Sequence, residues 1–244
     1  MNKEPKIVVI IPAYNEAASL ANTIREIRAK APPVDILVVN DGSNDNTVEV
    51  ARELDVTVIS LPYNLGIGGA VQTGFKFAAR WDYDIAIQVD GDGQHDPEFI
   101  SQLIEPLVNG KADITIGSRY LNNESYKVPL MRNIGVVFFS KLTTVVTGRR
   151  ISDCTSGFRA LNRRAIGLFS DEYPVDFPDA EALIIAHRAG LSMEELPAKF
   201  RERENGKSSL HFWRFLWYPI KEGFSILMLL TEHQRKVGCP QPST

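Results

Sequence analysis

Short, continuously apolar segments alternate with helical patterns along the first half of the chain, and this alternation limits the fold more than any other feature. Five segments rich in β-branched residues predict strands: KIVVIIP (6–12), VDILVVND (34–41), VTVIS (56–60), DIAIQVD (84–90) and ADITIGS (112–118). Because these segments are apolar on both sides, we expect parallel strands in a sheet that is covered on both faces. The pattern therefore predicts a βαβαβ order and an α/β fold.

Helices are predicted in the gaps between these strands. Residues 15–30 carry apolar side chains near helical spacing, and residues 43–55 offer Ser43 or Asp45 as an N-cap. Beyond residue 120 the pattern is mixed, with no linker and no repeat. It predicts a helix over 131–148, a short strand entering a helix over 153–166, and a helix over 178–190 that ends at Gly190.

Composition limits the class of protein. The chain has 244 residues, of which 44% are hydrophobic, enough to bury the core of one large domain or two small ones. A net charge of -3 and a pI near 5.9 argue against a nucleic-acid partner. Cys154 and Cys239 are far apart and the N-terminus has no cleavage site, so we expect a cytosolic protein with reduced thiols. The apolar segment 223–230 is too short to span a membrane.

Polar turns follow three of the predicted strands. Their sequences are PAYNE, NDGSND and DGDGQHD. Open sheets of parallel strands bind ligands outside the carboxyl ends of the strands, so we expect the three turns to share one crevice.

Two carboxylates at the end of the fourth predicted strand are candidate metal ligands. Asp90 and Asp92 are two residues apart and can project toward one point, where Gln94 can add an amide oxygen. Hard oxygen ligands suit Mg²⁺ or Mn²⁺, which bridge substrate phosphates. The alternative interpretation makes Asp90 and Asp92 solvated turn residues, and the two carboxylates by themselves do not decide between them.

Asp96 and His95 have simpler interpretations. Asp96 precedes Pro97, a favourable start for a helix, so Asp96 is predicted to be a helix cap. His95 is interpreted as a loop residue beside the ligands rather than as a ligand.

The order of the motifs decides the interpretation of the acidic turn. The chain resembles the family 2 glycosyltransferases of the GT-A fold, in the branch of dolichyl-phosphate mannose synthases and bacterial polyprenyl-phosphate sugar transferases. The resemblance covers roughly residues 6 to 210 and rests on VVIIPAYNEAASL, VVNDGSNDNT, NLGIGGAVQTG, QVDGDGQHDPE, GSRY, MRNIG, DCTSGFRALNR and RERENGKSS. It implies a Rossmann-like, mostly parallel central sheet flanked by helices over residues 1–210, followed by an amphipathic helical extension over 211–244.

The resemblance also implies roles for individual residues. The nucleotide sugar would be held by Pro12, Ala13, Tyr14, Glu16, Asp41 and Asp90. The metal on its diphosphate would be held by Asp90, Asp92 and Gln94. An acceptor lipid phosphate would be held by Arg119, Arg132, Arg203 and Lys207. The residues expected to carry catalysis are Asp92, Arg119, Arg132, Asp153 and Asp179.

The expected reaction is transfer of a sugar to polyprenyl or dolichyl phosphate with inversion. A phosphate oxygen is already anionic near neutral pH, so no general base is required. Transfer to a saccharide hydroxyl is the alternative; relatives of that kind carry a Glu-Asp dipeptide near residue 180, which this chain lacks, although Asp179 can still serve as a base. A non-catalytic nucleotide-sugar sensor is a further alternative. Guanosine with mannose and uridine with glucose both stay open as donors.

Two segments need their own interpretation. LGIGGAVQTG lacks the third glycine of a dinucleotide fingerprint, so its glycines are expected to open a helix near the crevice or to let helix and sheet approach closely. Residues 211–236 are rich in aromatic side chains, among them Trp213 and Trp217, with basic residues nearby. This composition predicts a segment in the lipid interface at the cytoplasmic face of the membrane, while packing on the domain or in a homodimer is the alternative. A separate membrane partner is a further expectation.

Overall fold

The computed structural model describes residues 4–121, 130–176, 178–201 and 223, and gives only the backbone of 130–135. Among the residues up to 201 that the structure describes, seven strands form one sheet: β1 (Ile7–Ala13), β2 (Asp35–Asn40), β3 (Thr57–Ser60), β4 (Ile85–Gln88), β5 (Ile114–Ser118), β6 (Arg159–Asn162) and β7 (Met193–Pro197). In the same part of the chain seven helices accompany them: α1 (Leu20–Lys30), α2 (Thr47–Glu53), α3 (Gly66–Arg80), α4 (Ile100–Val108), α5 (Leu130–Thr147), α6 (Arg163–Asp171) and α7 (Ala180–Arg188). A 3₁₀ turn over Pro97–Phe99 leads into α4.

The strands lie in the order β3-β2-β1-β4-β6-β5-β7. All neighbours pair in parallel except β6, which is antiparallel to both β4 and β5. The expectation of a mostly parallel sheet is confirmed, and all five predicted strands are present. Continuous apolarity predicted parallel pairing for the fourth and fifth strands too. This was wrong where each of them pairs with β6, because the chain returns through the gap between β4 and β5 in the opposite direction.

The sheet is covered on both faces, as its apolar strands require. Along β1, Val8 and Ile10 point into a core formed with α3, α5, α6 and α7. Val9 and Ile11 point into a second core formed with α1, α2 and α4. This alternation makes every residue of β1 buried, which explains why the strand shows no polar face in the sequence.

Two predicted helices begin later than their sequence patterns indicate. The first begins at Leu20 rather than at residue 15, because the amides of residues 15–17 donate to side chains of the neighbouring turn instead of entering a helix. The second begins at Thr47, after Asn46 as N-cap, so neither Ser43 nor Asp45 occupies the cap position. Asp45 nevertheless accepts the amide N–H of Thr47 at 3.0 Å, and so satisfies one donor of the first turn.

The other helix predictions are confirmed. The helix predicted over 131–148 is α5, and the strand entering a helix over 153–166 is β6 followed by α6. Past the end of α7, Gly190 takes a left-handed φ of 73°, as a residue ending a helix does. Asp96 caps the 3₁₀ turn, since its carboxylate accepts the amide N–H of Glu98 at 3.3 Å.

Helix α3 lies unusually close to the sheet because of its glycines. A Cβ on Gly74 would come within 2.3 Å of Cγ2 of Ile10 in the middle of β1. The helix begins at Gly66, directly behind the turn that follows β2. Both roles expected of the glycine-rich segment, opening a helix near the crevice and allowing close packing, are therefore present.

Within the described ranges, no helix is long and apolar enough to cross a membrane. The aromatic segment 211–236 lies outside those ranges apart from Gly223. The division of the chain at residue 210 stays a prediction.

Candidate active site

The turns after β1, β2 and β4 meet at the carboxyl edge of the sheet. The amide of Asp41 donates to the carbonyl of Ala13 at 2.9 Å, and the amide of Asn15 donates to the hydroxyl of Ser43 at 2.9 Å. Thr23 of α1 donates to the carbonyl of Gly91 at 3.3 Å. The three polar turns therefore meet at one edge of the sheet, where the sequence predicts a shared crevice.

The turn after β1 forms one wall of this crevice. Pro12 and Ala13 are buried, whereas Tyr14 is 38% exposed at the rim. Asn15 has a left-handed φ of 55° and its side chain accepts the amide N–H of Asn44 at 2.8 Å. Glu16 is half-buried and accepts the hydroxyl of Ser19 at 2.7 Å. The turn is thus fixed by hydrogen bonds while an aromatic ring is presented to solvent.

Asp41 fastens the start of α3 to the turn after β2. Its two carboxylate oxygens accept the amide N–H groups of Leu65 and Gly66 at 2.7 and 2.9 Å. Burial raises the pKa of Asp41 above its ordinary value, and the two amide hydrogen bonds only partly oppose that rise. Asp41 therefore shapes the crevice, in addition to any contact it makes with a ligand.

Asp90 lies in the turn after β4 with its side chain 38% exposed. Its amide donates to Nδ1 of His95 at 3.1 Å, while Nε2 of the same ring lies 3.5 Å from the Asp90 carboxylate. His95 is buried and stacks on Phe158 with ring centroids 4.9 Å apart. A Cβ on Gly157 would lie 3.1 Å from a carboxylate oxygen of Asp90, so the chain leaves space for that carboxylate. The buried ring of His95 therefore contacts Asp90, and His95 lies in the loop after β4, as predicted.

Asp92 and Gln94 continue the same loop. Asp92 is half-buried and one of its carboxylate oxygens accepts the amide N–H of Gln94 at 3.0 Å. The side-chain nitrogen of Gln94 donates to the carbonyl of Arg201 at 3.2 Å. Among the residues with described side chains, no group of three or more His, Cys, Asp or Glu is placed to hold a metal ion. Two carboxylates fit a cation that takes its remaining ligands from substrate phosphates and water, as Mg²⁺ and Mn²⁺ do.

The segment 199–201 lies alongside the acidic loop. The amide of Arg201 donates to the carbonyl of Gln94 at 2.8 Å, and His95 forms an isolated antiparallel bridge with Phe200. The Arg201 guanidinium also binds the carboxylates of Asp96 and Glu26 at 2.9 and 2.6 Å. Arg201 is the first residue of the RERENGKSS motif, so these contacts join the start of that motif to the acidic loop.

Arg119 and Asp153 form a buried ion pair beside the crevice. Oδ2 of Asp153 accepts Nε of Arg119 at 2.7 Å and its amide N–H at 3.1 Å, and Oδ1 accepts Nη2 at 2.6 Å. The hydroxyl of Thr155 accepts Nη2 at 2.7 Å. The Asp153 side chain is 0% exposed and that of Arg119 is 7% exposed. Both charged groups have lost their hydration, and the short hydrogen bonds between them offset that desolvation cost.

The ion pair reaches the acidic loop through one aromatic layer. Cζ of Arg119 lies 5.1 Å from the ring centroid of Phe200, which packs edge-on against His95 at 5.0 Å. His95 in turn contacts Asp90. A buried cation and a carboxylate exposed to the crevice are therefore held by the same small cluster.

Asp179 lies half-buried at the start of α7. The buried side chain of Arg159 donates to the carbonyls of Pro178, Asp179 and Cys154 at 3.0, 3.1 and 2.7 Å. Within the described residues, Nε of Arg159 has no hydrogen-bond partner. Arg159 thus fixes the backbone that carries Asp179.

Three residues that shape the site were missed in the sequence analysis. They are Arg159, Glu195 and Arg201, which fix the backbone beside Asp179, Asp153 and Gln94 respectively. The available signal was a charged residue inside or next to a strand pattern, as in FRALN and MEELP.

Three predicted acceptor residues are not placed by the structure. Arg132 lies in the part of α5 of which only the backbone is described, and Arg203 and Lys207 lie outside the described residues. The roles assigned to individual site residues stay predictions.

Comparison with known proteins identifies the family. The family model of "Glycosyl transferase family 2" matches residues 8–168, which contain β1 from its second residue onward, β2 to β6 and the acidic loop. The chain belongs to glycosyl transferase family 2. It is a glycosyltransferase with the GT-A fold.

Individual family 2 relatives resemble the chain over most of its length. A UDP-N-acetylglucosamine–dolichyl-phosphate N-acetylglucosaminyltransferase of Methanococcus voltae is 33% identical over 213 residues, covering 79% of this chain and 84% of the relative. A polyprenol monophosphomannose synthase of Mycolicibacterium smegmatis is 32% identical, covering 84% and 81%.

A solved structure shares the fold. Glucosyl-3-phosphoglycerate synthase from Mycobacterium tuberculosis, in complex with Mn²⁺, uridine diphosphate and phosphoglyceric acid, matches with a TM-score of 0.70. The match covers 97% of this chain and 82% of that chain at 20% identity. At that identity the likeness concerns the fold alone.

Proposed function

We propose that this glycosyltransferase moves a sugar from a nucleotide sugar to the phosphate of a polyprenyl or dolichyl lipid, with inversion at the sugar carbon. The observation that carries the proposal is the cluster that holds the Arg119 guanidinium beside the loop of Asp90. It places an arginine, 7% exposed and paired with Asp153, one aromatic layer away from carboxylates suited to a donor diphosphate. One relative is named for its action on dolichyl phosphate, and the other for the formation of polyprenol monophosphomannose. Both names support this acceptor class.

Asp90 and Asp92 would hold Mg²⁺ or Mn²⁺, with Gln94 next to them. When bound, the metal supplies positive charge for the departing nucleoside diphosphate. Asp90 suits this role because its carboxylate is exposed to the crevice while its backbone is tied to His95. The solved structure that shares this fold contains Mn²⁺ together with uridine diphosphate.

The nucleoside would lie against the turns after β1 and β2. Tyr14 presents a rim aromatic ring that can stack on a base or ribose, above the buried backbone of Pro12 and Ala13. Glu16 and Asp41 line the same corner and are held by the hydrogen bonds described above. The contacts leave the base and the sugar of the donor open.

Asp153 acts as the counter-ion of Arg119 in this proposal. Its carboxylate is fully buried and accepts three hydrogen bonds from Arg119, so we assign it to this ion pair rather than to a base. A phosphate acceptor needs no base: its anionic oxygen attacks the sugar carbon, the bond from that carbon to the diphosphate breaks, and the nucleoside diphosphate leaves. Arg119, with Arg132, Arg203 and Lys207, would orient the attacking phosphate.

Transfer to a saccharide hydroxyl is the second candidate. The observation that favours it is Asp179, an acidic side chain at the start of α7 whose backbone is fixed by Arg159. A hydroxyl acceptor would need such a base within hydrogen-bond reach.

The proposal includes attachment to the cytoplasmic face of a membrane through the aromatic segment 211–236. A separate membrane partner would serve the same purpose, whereas packing on the domain or in a homodimer is the alternative role of this segment. A non-catalytic sensor of nucleotide sugars is the alternative from another class, and a positive transfer assay excludes it.

A panel of radiolabelled nucleotide sugars tests the function. Each donor is supplied with Mn²⁺ and either a short polyprenyl phosphate or the corresponding polyprenol. We expect one donor to give an organic-extractable, acid-labile product with the phosphate and none with the alcohol. Equal labelling of both lipids, or labelling of a saccharide alone, would contradict the proposed acceptor.

A further inference from the structure

Glu195 of β7 binds one short turn of the chain with its whole carboxylate. Oε1 accepts the amide N–H of Asp153 at 2.7 Å. Oε2 accepts the amide and the hydroxyl of Ser152 at 3.0 and 2.6 Å. Two consecutive backbone amides and a hydroxyl therefore converge on a single half-buried side chain, an arrangement suited to an anion.

The turn bound by Glu195 is the one that orients Arg119. Asp153 spans the Nε and Nη2 edge of the guanidinium, and Thr155 accepts a further bond from Nη2. Because the side chains of Arg119 and Asp153 are almost completely buried, solvent cannot replace a contact that shifts. A displacement of the turn therefore displaces the guanidinium.

The two strands involved are direct neighbours. Arg119 follows the last residue of β5, and Glu195 pairs in register with Ile116 of the same strand. One strand thus supplies the arginine and the next supplies the carboxylate that fixes its counter-ion. From this geometry we propose that Glu195 is a positioning residue for Arg119. It holds Ser152 and Asp153 in place, Asp153 orients the guanidinium of Arg119, and Arg119 contacts the acceptor phosphate. The inference rests on the proposed function.

The sequence contains a matched control. Glu194 is adjacent on β7, carries the same charge and is half-buried to the same class, and in a strand its side chain points to the opposite face. It pairs with Thr115 and does not bind the Ser152–Asp153 turn.

The test measures KM for polyprenyl phosphate and KM for the donor separately. We expect Glu195→Ala to raise the acceptor KM about tenfold, equivalent to roughly one charge-assisted hydrogen bond, with the donor KM changed less than about twofold. Glu194→Ala should leave both values unchanged. In an Arg119→Ala background, Glu195→Ala should add nothing further to the acceptor KM, because its effect passes through that arginine.

Each result has a distinct meaning. A multiplicative effect in the double variant, or an equal rise of both KM values in Glu195→Ala, would overturn the positioning role. If Glu195→Ala does not fold, Ser152→Ala removes the hydroxyl bond alone, and the same two comparisons decide. If Arg119→Ala itself leaves the acceptor KM unchanged while transfer continues, the proposed acceptor site fails, which is a different outcome from failure of Glu195 alone.

Discussion

Arg201 donates a hydrogen bond to Asp96 across 2.9 Å and so fastens the segment that leads into residues 202–222 to the acidic loop. The same guanidinium binds Glu26 of α1 at 2.6 Å. One side chain therefore joins a helix, the loop that carries Asp92, and the start of the segment with the predicted acceptor residues.

The Arg201–Asp96 contact predicts a pH dependence of stability. Burial alone would raise the pKa of Asp96, but hydrogen bonds from Arg201 and from the Glu98 amide outweigh burial and lower that pKa. A lowered folded-state pKa gives stability that is complete above the unfolded value of about 3.9 and is lost as pH falls through the folded value.

Arg201→Gln should remove the part of this contribution that comes from Arg201. We expect a lower melting temperature at pH 7, from loss of about 1.5–3 kcal/mol per charged hydrogen bond, and a smaller decrease between pH 5 and about pH 3 than in the parent. Arg163→Gln is the control, because Arg163 pairs with Asp82 and Asp84 in an exposed position. If the stability of Arg201→Gln decreased between pH 5 and about pH 3 as much as that of the parent, the contact would not be what lowers the pKa of Asp96.

The metal site predicts an effect of Asp92→Asn on nucleotide binding. Removing an anionic ligand from a hard cation should abolish transfer and weaken binding of the nucleoside diphosphate in the presence of Mn²⁺. Chelation should weaken diphosphate binding to the parent protein and have little further effect on the variant, as calorimetry would show. Asp171→Asn, at the exposed end of α6, controls for loss of one negative charge. Undiminished turnover of the parent protein after thorough chelation would show that transfer does not require a metal ion.

The packing of α3 predicts opposite outcomes at two helical glycines. Gly74→Ala places a methyl group 2.3 Å from Cγ2 of Ile10 and should destabilise the protein by about 1–3 kcal/mol. Gly167→Ala in α6 meets no atom within 4 Å and should stabilise it by about 0.5–1 kcal/mol, since alanine is the better helix former. Chemical denaturation measures both changes. Equal free energies of unfolding in the two variants would contradict the close approach of α3 to β1.

The sheet could be predicted to the extent that its strands are apolar on both faces. Strands β1 to β5 have that pattern, and each appears within a residue or two of its predicted range. The antiparallel direction of β6 depends on how the chain returns between β4 and β5, which no local pattern contains. Strand β7 was not predicted because Glu194 and Glu195 interrupt an edge strand that is only partly buried.

The site was predictable at the level of turns and not of partners. Strand ends located the acidic turn, and the order of the motifs assigned its chemistry. The ion pair of Arg119 with Asp153 joins residues 34 positions apart, and the bond from Glu195 to Asp153 joins residues 42 positions apart. These partners are selected by strand order, so the buried role of Asp153 became visible only in the structure.

The aromatic segment predicts a membrane-specific effect. Trp213→Glu with Trp217→Glu should reduce vesicle binding and activity on long-chain polyprenyl phosphate, because a carboxylate at the lipid boundary removes apolar contact and is repelled by anionic headgroups. Donor binding and activity on a short, water-soluble acceptor should be retained. A vesicle flotation assay beside a melting curve checks this. A loss of thermal stability or a shift in oligomer mass, with no vesicle binding by the parent, would indicate core or dimer packing instead.

In the proposed reaction the new bond joins the sugar carbon to an oxygen of a lipid phosphate. Phosphorus NMR of a short polyprenyl phosphate, incubated with the enzyme, the donor selected by the panel and Mg²⁺, observes that atom directly once the metal has been removed. We predict that the acceptor signal changes from that of a phosphomonoester to that of a phosphodiester coupled to the sugar carbon, with stoichiometric release of nucleoside diphosphate. Release of nucleoside diphosphate with an unchanged signal from the acceptor phosphorus would contradict transfer of the sugar to the lipid phosphate.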